Sequence, residues 1–232
     1  MKKIFITGVS SGLGEALCRE YLDNGDDVYA VGRTYPKEFD DYSNFSFFTF
    51  DLRQTYTIRK CIKEFIHRHT FDLVILNAGV LGEIKTLMET EVSQIKDVMK
   101  LNVWANKELI DLLVLHACIK QVIGISSGAA VNGSKGWGSY SLSKSALNML
   151  LNLYAKELPD IHFTSLAPGV INTAMVQHIV NKIDDAKFPS AKNLKEGSIQ
   201  EPKEAAKHLI AIFDKLLDYD SGSFLDVRTM EG

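Results

Sequence analysis

The amino-acid sequence predicts an α/β fold: a doubly wound parallel sheet of about seven strands with helices on both faces. Three observations predict it. Its β-rich runs are apolar continuously rather than in alternation, as strands covered on both faces must be. The segments between most of them carry apolar residues at helical spacing. The resulting βαβ repeat, run through right-handed crossovers, pairs its strands in parallel.

The elements follow in order. KKIFITG (2–8) reads as a buried strand. A helix over 12–24 puts Leu13, Leu17, Tyr21 and Leu22 on one face and ends near Asn24-Gly25. DVYAVGR (27–33) is the second strand, and FSFFTFDL (45–52), after a polar turn region, is the third. Ile58, Ile62, Phe65 and Ile66 mark a helix over 55–69. DLVILNAG (72–79) is the fourth strand. Helical periodicity then runs over 91–117, with an expected break near 100–102. QVIGISSG (121–128) is the fifth strand, 138–157 a helix, and HFTSLAPG (162–169) the sixth strand. Pro202 opens a helix over 202–217, and GSFLDV (222–227) is a short seventh strand. The least regular stretch, 176–201, holds Pro189, Asn193 and Gly197. It reads as a mobile substrate loop, about 174–200, inside a single Rossmann-type domain spanning 1–232. No internal repeat or low-complexity tract is visible.

The bulk properties narrow the function. A chain of 232 residues suits one domain with a substantial core. Apolar content of 46% with 24% charged residues is ordinary for a soluble globular protein. A net charge of −3 offers no basic field for nucleic acid or an anionic membrane. The apolar runs fall far short of the ~20 residues that span a bilayer. The opening MKKIFITGVSSG resembles a signal peptide only briefly, because its apolar run soon meets glycines. Cys18, Cys61 and Cys118 are odd in number and widely spaced, which fits neither a disulfide framework nor a zinc site. The expectation is a cytoplasmic protein with reduced thiols and no metal. His67 and His69, two apart in a predicted helix, point to different faces and read as solvated positions.

Ligands of such folds collect at the carboxyl ends of the strands. After the first strand stands TGVSSGLG (7–14), with Gly8, Gly12 and Gly14. Glycines let backbone approach a pyrophosphate, and the helix that begins here supplies N–H donors and a partial positive charge. Ser10, Ser11 and Leu13 complete the turn. Its spacing is GxxxGxG rather than GxGxxG, and the alternative reading is a tight βα turn without a ligand. After the second strand stands Arg33, where a NAD-selective site usually places an acid. A guanidinium suits a 2′-phosphate, so NADP(H) is favoured and NAD(H) stays open; the alternative is a solvated arginine. Asp51-Leu52 follows the third strand, with the acid placed for an adenine edge. Asn77, Ala78 and Gly79 follow the fourth, where small residues let a nucleotide lie against backbone. Ser126-Ser127 follows the fifth strand, Tyr140 lies thirteen residues beyond Ser127, and Lys144 four beyond that. Asn102 falls at the expected helix break. Pro168, Gly169 and Val170 follow the sixth strand, with Thr173 close by.

In this order TGVSSGLG, DL, NAG, LNV, ISS, YSLSK and PGVINT resemble the short-chain dehydrogenase/reductase family, over Lys2 to about Thr173. GWGSYSLSKSALNM and SGSFLD more narrowly resemble its sepiapterin/benzil reductase-like and C-factor-like members. The resemblance implies that Tyr140 is the acid/base. It implies that Ser127, at the family's spacing where Ser126 is not, binds the substrate oxygen. Lys144 would lower the ordinary phenol pKa of about 10 and bind the ribose. Asn102 would hold a water in a proton relay, and Pro168–Val170 with Thr173 would position the carboxamide. Bland alternatives are a turn serine at Ser127 and a helix kink at Asn102. The segments 80–90 and 174–200, and Trp137, would border the substrate.

The resulting expectation is an NADP(H)-dependent reductase of a small carbonyl compound. One alternative is a 3-oxoacyl or hydroxysteroid type reductase, which Lys182, Lys187, Lys192 and Lys195 leave open. Another is a cofactor-binding signalling or regulatory protein with little turnover. Helices 102–117 and 140–157 would pair two copies into a homodimer. A tetramer is possible, although the short C-terminal end offers less to one.

Overall fold

The computed structural model describes residues 1–230. Seven strands form one sheet in the order β3-β2-β1-β4-β5-β6-β7, every neighbouring pair parallel. The strands are β1 (Lys3–Thr7), β2 (Asp27–Gly32), β3 (Phe45–Thr49), β4 (Thr70–Leu76), β5 (Cys118–Ile125), β6 (His162–Ala167) and β7 (Ser223–Asp226). The helices are α1 (Gly12–Asp23), α2 (Ile58–Ile66), α3 (Val92–Met99), α4 (Ala105–His116), α5 (Gly138–Glu157), α6 (Ala174–Lys182), α7 (Pro189–Glu196) and α8 (Pro202–Phe213).

The continuous apolar runs have the reason the sequence suggests. Successive side chains of a strand point to opposite faces, and here both faces are covered. In β1, Ile4 and Ile6 join a core with Leu17 and Tyr21 of α1 and Leu209 and Phe213 of α8. Phe5, between them, joins the opposite core with Ile62 of α2, Leu109 and Leu113 of α4, and Leu147 and Leu151 of α5. A third cluster is smaller: Leu81, Trp137, Ile179 and Ala191 fasten α6 and α7 across the carboxyl end of the sheet. The strand order reverses between β1 and β4, the switch point at which such sheets open a ligand crevice.

Four expectations are corrected. The helix predicted over 55–69 is a 3₁₀ turn at Thr55–Thr57 followed by α2, and it stops at Ile66. Arg68 then takes a left-handed φ of 59°, so His67 and His69 lie outside the helix. His69 is not simply solvated: its ring packs 4.5 Å from Tyr29, and burial lowers its pKa. The irregular loop expected over 176–201 is mostly helical, as α6 and α7. Its Pro189 stands in the first turn of α7, where a missing N–H costs nothing, so the residue that reads as a breaker is a start signal. The helix predicted to reach 217 ends at Phe213 and passes into a 3₁₀ turn over Asp214–Asp218. The expected break near 100–102 is present as a π-helical stretch, Lys100–Trp104. No helix among the described residues is long and apolar enough to cross a membrane, and no metal-binding cluster is found among them.

Candidate active site

Most motifs singled out in the sequence sit just beyond a strand end, and the parallel sheet brings those ends to one edge; Asn102 lies in the π-helical stretch and Tyr140 and Lys144 on α5. The first of them builds a shelf at the switch point. Thr7 is a fully buried polar residue in an otherwise apolar strand end, so it needs partners. Its Oγ1 accepts hydrogen bonds from the backbone N–H groups of Asn77 (3.1 Å) and Ala78 (3.0 Å). Asn77 answers by donating Nδ2–H to the carbonyls of Thr7 (3.0 Å) and Gly8 (2.9 Å). Two turns that are 70 residues apart in sequence are thereby locked together.

Glycine is required on this shelf for two different reasons. Gly8 has a φ of 76°, which favours glycine. Gly14 lies in regular helix, but a Cβ there would lie 2.1 Å from the Gly8 carbonyl oxygen and 2.4 Å from Asn77 Nδ2. Ser11 precedes α1 without a side-chain capping bond, so the first-turn N–H groups stay available to an anion. The adjoining cleft of about 320 Å³ is lined by Gly8, Ser10, Ser11, Gly12, Leu13, Gly14, Arg33, Asp51, Leu52, Asn77, Ala78, Gly79 and Thr173. The cradle fits the pyrophosphate of a dinucleotide, and the exposed Arg33 stands at its β2 end. Asp51 differs from expectation. Its carboxylate is forked by Arg53 (Nε to Oδ1 3.2 Å, Nη2 to Oδ2 3.0 Å), an arginine that the sequence analysis passed over. That pairing holds the carboxyl below its usual range.

A second cleft, about 200 Å³, is lined by Ser127, Tyr140, Lys144, Pro168, Gly169 and Val170, and shares Leu13, Asn77, Gly79 and Thr173 with the first. The two are one continuous crevice. Tyr140 and Lys144 lie one turn apart on α5 and so face the same way. Ser127 lines the same cleft as Tyr140, and its Oγ accepts the Ala129 N–H at 3.2 Å. Ser126 is engaged elsewhere, donating to Asn148 Oδ1 at 2.6 Å, so the geometry separates the two serines as their spacing did.

Burial dominates the electrostatics here. It pushes the Tyr140 phenol up to about 12, with the Ser127 hydroxyl pulling the other way. It also pulls the Lys144 ammonium down to about 8. The expected lowering of the phenol pKa by Lys144 is therefore not found. Lys144 Nζ is 5.7 Å from the Tyr140 ring centroid and donates instead to the Ile125 carbonyl at 2.7 Å. Desolvation of both groups outweighs their mutual effect.

Asn102 is held on every side by protein partners. Both Nδ2 hydrogens are spent, on the Val80 carbonyl and Ser143 Oγ (2.9 Å each), and Oδ1 accepts from Val80 N–H at 2.9 Å. Its side chain has no donor left for a water. It straps the loop after β4 to α5, next to Gly79 and Lys144. Thr173 caps α6 by accepting from Val176 N–H, and its Cγ2 lies 3.0 Å from where a Gly12 Cβ would be. Missed by the sequence analysis were Thr7, Arg53, Ser143, Asn148 and Ser190. Only Thr7 had a readable signal, as a polar residue ending an apolar strand.

Trp137 closes the substrate side. Its ring meets Tyr140 edge-on at 6.2 Å, and its Nε1–H donates to Ser190 Oγ on α7. Phe188, 5% exposed, packs where a Gly136 Cβ would be, and Lys187 reaches Glu89 at 3.2 Å.

Known proteins share both the sequence pattern and the fold. The family model for short chain dehydrogenase matches residues 2–184. A benzil reductase ((S)-benzoin forming) of Bacillus cereus is 32% identical over 229 residues, covering 89% of this chain and 92% of that protein. An NADPH-dependent pterin aldehyde reductase of Arabidopsis thaliana is 28% identical over 191 residues, covering 75% of this chain and 77% of its own. The crystal structure of the KRED1-Pglu enzyme has the same fold, with a TM-score of 0.83 at 24% identity, covering 97% of this chain and all of that one. The strand-end crevice, its motif order and these matches lead to one assignment: the chain is an oxidoreductase of the short-chain dehydrogenase/reductase family.

Proposed function

We propose that the chain is an NADPH-dependent reductase of a small carbonyl compound, with Tyr140 as the proton donor. One observation carries the reading. The Tyr140 phenol, beside Ser127 and one helical turn from the buried Lys144, opens into the crevice whose other end is a glycine-lined anion cradle. The nicotinamide group, when bound, supplies the hydride.

The chain's own residues supply the rest. Tyr140, with its pKa raised by burial, holds its proton at neutral pH, the state that reduction of a carbonyl requires. Ser127 donates a hydrogen bond to the substrate oxygen as charge develops on it. Lys144 sits buried beside Gly79, within reach of a ribose, and its proton stabilises the charge left when Tyr140 becomes phenolate. Asn102, Thr7 and Asn77 position the loops that carry these groups. Arg33 supports NADP over NAD, because its exposed guanidinium stands at the cradle where an acid would favour NAD. The pterin aldehyde reductase relative, NADPH-dependent by its name, agrees.

The homodimer belongs to the same reading. Trp104, Leu142, Met149 and Leu153, all exposed apolar side chains on or beside α4 and α5, support pairing of two copies through these helices. The three free thiols support a reducing compartment such as the cytoplasm. Helices α6 and α7 serve as the substrate cover.

The test is NADPH oxidation at 340 nm across a panel of ketones, aldehydes and diketones, with NADH alongside. Turnover with NADPH is expected to fall about 10²–10⁴-fold in Tyr140→Phe while NADPH still binds. Equal turnover in that variant would sink the assignment of Tyr140. Preference for NADH would sink that of Arg33.

A further inference from the structure

Beyond Ser127 lies a larger cavity, about 570 Å³, that meets the Tyr140 cleft through Ser127, Trp137, Gly169 and Val170. Its wall mixes apolar groups such as Trp137 and Leu194 with hydroxyls and amides such as Ser134, Asn132 and Gln200 and, with one exception, is uncharged. The exception is Arg228.

Arg228 is held in place rather than free to wander. The chain leaving β7 runs on along β6, with Val227 N–H donating to the Ala167 carbonyl at 3.1 Å. Asp226 then grips the guanidinium by a fork, Nε to Oδ1 at 2.9 Å and Nη2 to Oδ2 at 2.6 Å. Asp226 also accepts the Arg228 backbone N–H at 3.0 Å. The carboxylate is only 14% exposed, whereas the arginine side chain is 57% exposed. Arg228 Nη2 lies 3.1 Å from where a Cβ of Gly128 would be, so the guanidinium sits against the residue that follows Ser127. A guanidinium has five N–H donors, and the fork spends two. Among the described residues the other three have no partner, and the side chain that carries them lines the cavity next to Gly128.

We propose that Arg228 recognises the substrate by donating hydrogen bonds to a second, uncharged oxygen. The enzyme then favours carbonyl compounds that carry another carbonyl or hydroxyl group, such as diketones and hydroxyketones. The assignment rests on the carbonyl-reductase reading above. Charge selects the oxygen type. Asp226 already neutralises the guanidinium, and no other cation among the described residues lines the cavity, so a substrate carboxylate would find no net positive charge to balance its own. A neutral oxygen takes the fixed donors without needing that charge, and a site built to hydrogen-bond such an oxygen discriminates against compounds lacking it.

A matched pair tests this: 1-phenylpropane-1,2-dione and 1-phenylpropan-1-one, which lacks the second oxygen. Wild type, Arg228→Met and Arg228→Lys are compared with NADPH, with melting temperature and NADPH affinity measured alongside. In Arg228→Met, kcat/KM for the dione is expected to fall about 10- to 100-fold, mainly through KM, with the mono-ketone changed less than about threefold. Arg228→Lys keeps a charge for Asp226 but not the fork, so its fold is secure and its loss on the dione is intermediate. Equal effects on both ketones, or none, would overturn the proposal and leave the arginine as a clasp for the tail. Phenylglyoxylate preferred over the dione, with that preference lost in Arg228→Met, would assign the site to an anion instead. No turnover of either ketone by wild type would remove the reductase reading and this assignment with it.

Discussion

The shelf at the β1/β4 switch point and the cover formed by α6 and α7 face each other across one crevice and are built in opposite ways. The shelf is held by backbone groups and short buried side chains. Thr7, Asn77, Gly8 and Gly14 leave no slack, and each bond joins segments far apart in sequence. The cover is held mainly by side chains: a small buried cluster of Leu81, Trp137, Ile179 and Ala191, and at its rim Trp137 with Ser190, Phe188 over Gly136, and Lys187 with Glu89. Its remaining ion pairs, such as Lys195 with Asp185, lie within the cover itself. Surface pairs of this kind contribute ~1 kcal/mol or less each. The difference teaches where precision is needed. An anion bound by backbone N–H groups requires fixed geometry. A substrate that enters and leaves requires a wall that can yield.

The sharpest way to break the comparison is Gly14→Ala. Alanine is the better helix former, so propensity alone would stabilise α1 by ~1 kcal/mol. The Gly8 carbonyl is backbone and cannot swing aside, so overpacking outweighs propensity. A net loss of about 1–3 kcal/mol, with weakened NADPH binding, is expected in thermal melts and ligand titrations. A variant as stable as wild type would show the shelf to be softer than its contacts suggest.

Lys144 sharpens the contrast from within the crevice. Burial lowers its pKa from 10.5 to about 8. Between those values the unfolded chain holds a proton that the folded chain has released, so stability rises with pH across that window. Below about pH 8 both states carry the charge and the full penalty of burying it remains. Lys144→Met should therefore stabilise the fold at pH 7, by on the order of 1–3 kcal/mol after loss of the Ile125 bond, while abolishing reduction. The gain should shrink in melts taken above pH 8 and vanish near pH 10.5. A destabilised variant at pH 7 would mean that the bond to Ile125 outweighs the desolvation.

The smallest effect is expected at the cover. Ser190→Ala removes the partner of Trp137 Nε1–H at a partly exposed site, at a cost of about 0.5–1.5 kcal/mol. Cleavage within 174–200 by a dilute protease should quicken, with global melting nearly unchanged. A lowered global melting point without faster local cleavage would make the cover part of the same cooperative unit as the shelf.

Much of this was legible in the chain. Period and composition mark the strands because a doubly covered strand has only apolar neighbours. Local chemistry marks the turns, because glycines and small polar residues collect where backbone must approach a ligand. Ser127, Tyr140 and Lys144 stood out through the family resemblance, and only the one-turn spacing of Tyr140 and Lys144 fixes by itself that the two share a helix face. The end of α2 at Ile66 was not readable, because Arg68 gives no sequence sign of its left-handed turn. Nor was the helicity of 176–201, where a polar composition hides two short helices that depend on Leu81 and Trp137 for burial.

By itself the sequence determined the sheet, its parallel sense, the positions of the turns and the residue types waiting at each strand end. Those properties follow from neighbours within a few positions, where period, propensity and capping act. Only the tertiary structure decided what each polar group is doing. It spends Asn102 on Val80 and Ser143, Asp51 on Arg53, and Ser126 on Asn148, and it sets Ser127 in the cleft that Tyr140 lines. It also sets the two central pKa values by burial rather than by the four-residue spacing of Tyr140 and Lys144. The physical reason is that hydrogen bonds and desolvation depend on which distant segments meet, and a linear pattern holds that information only through the fold it produces.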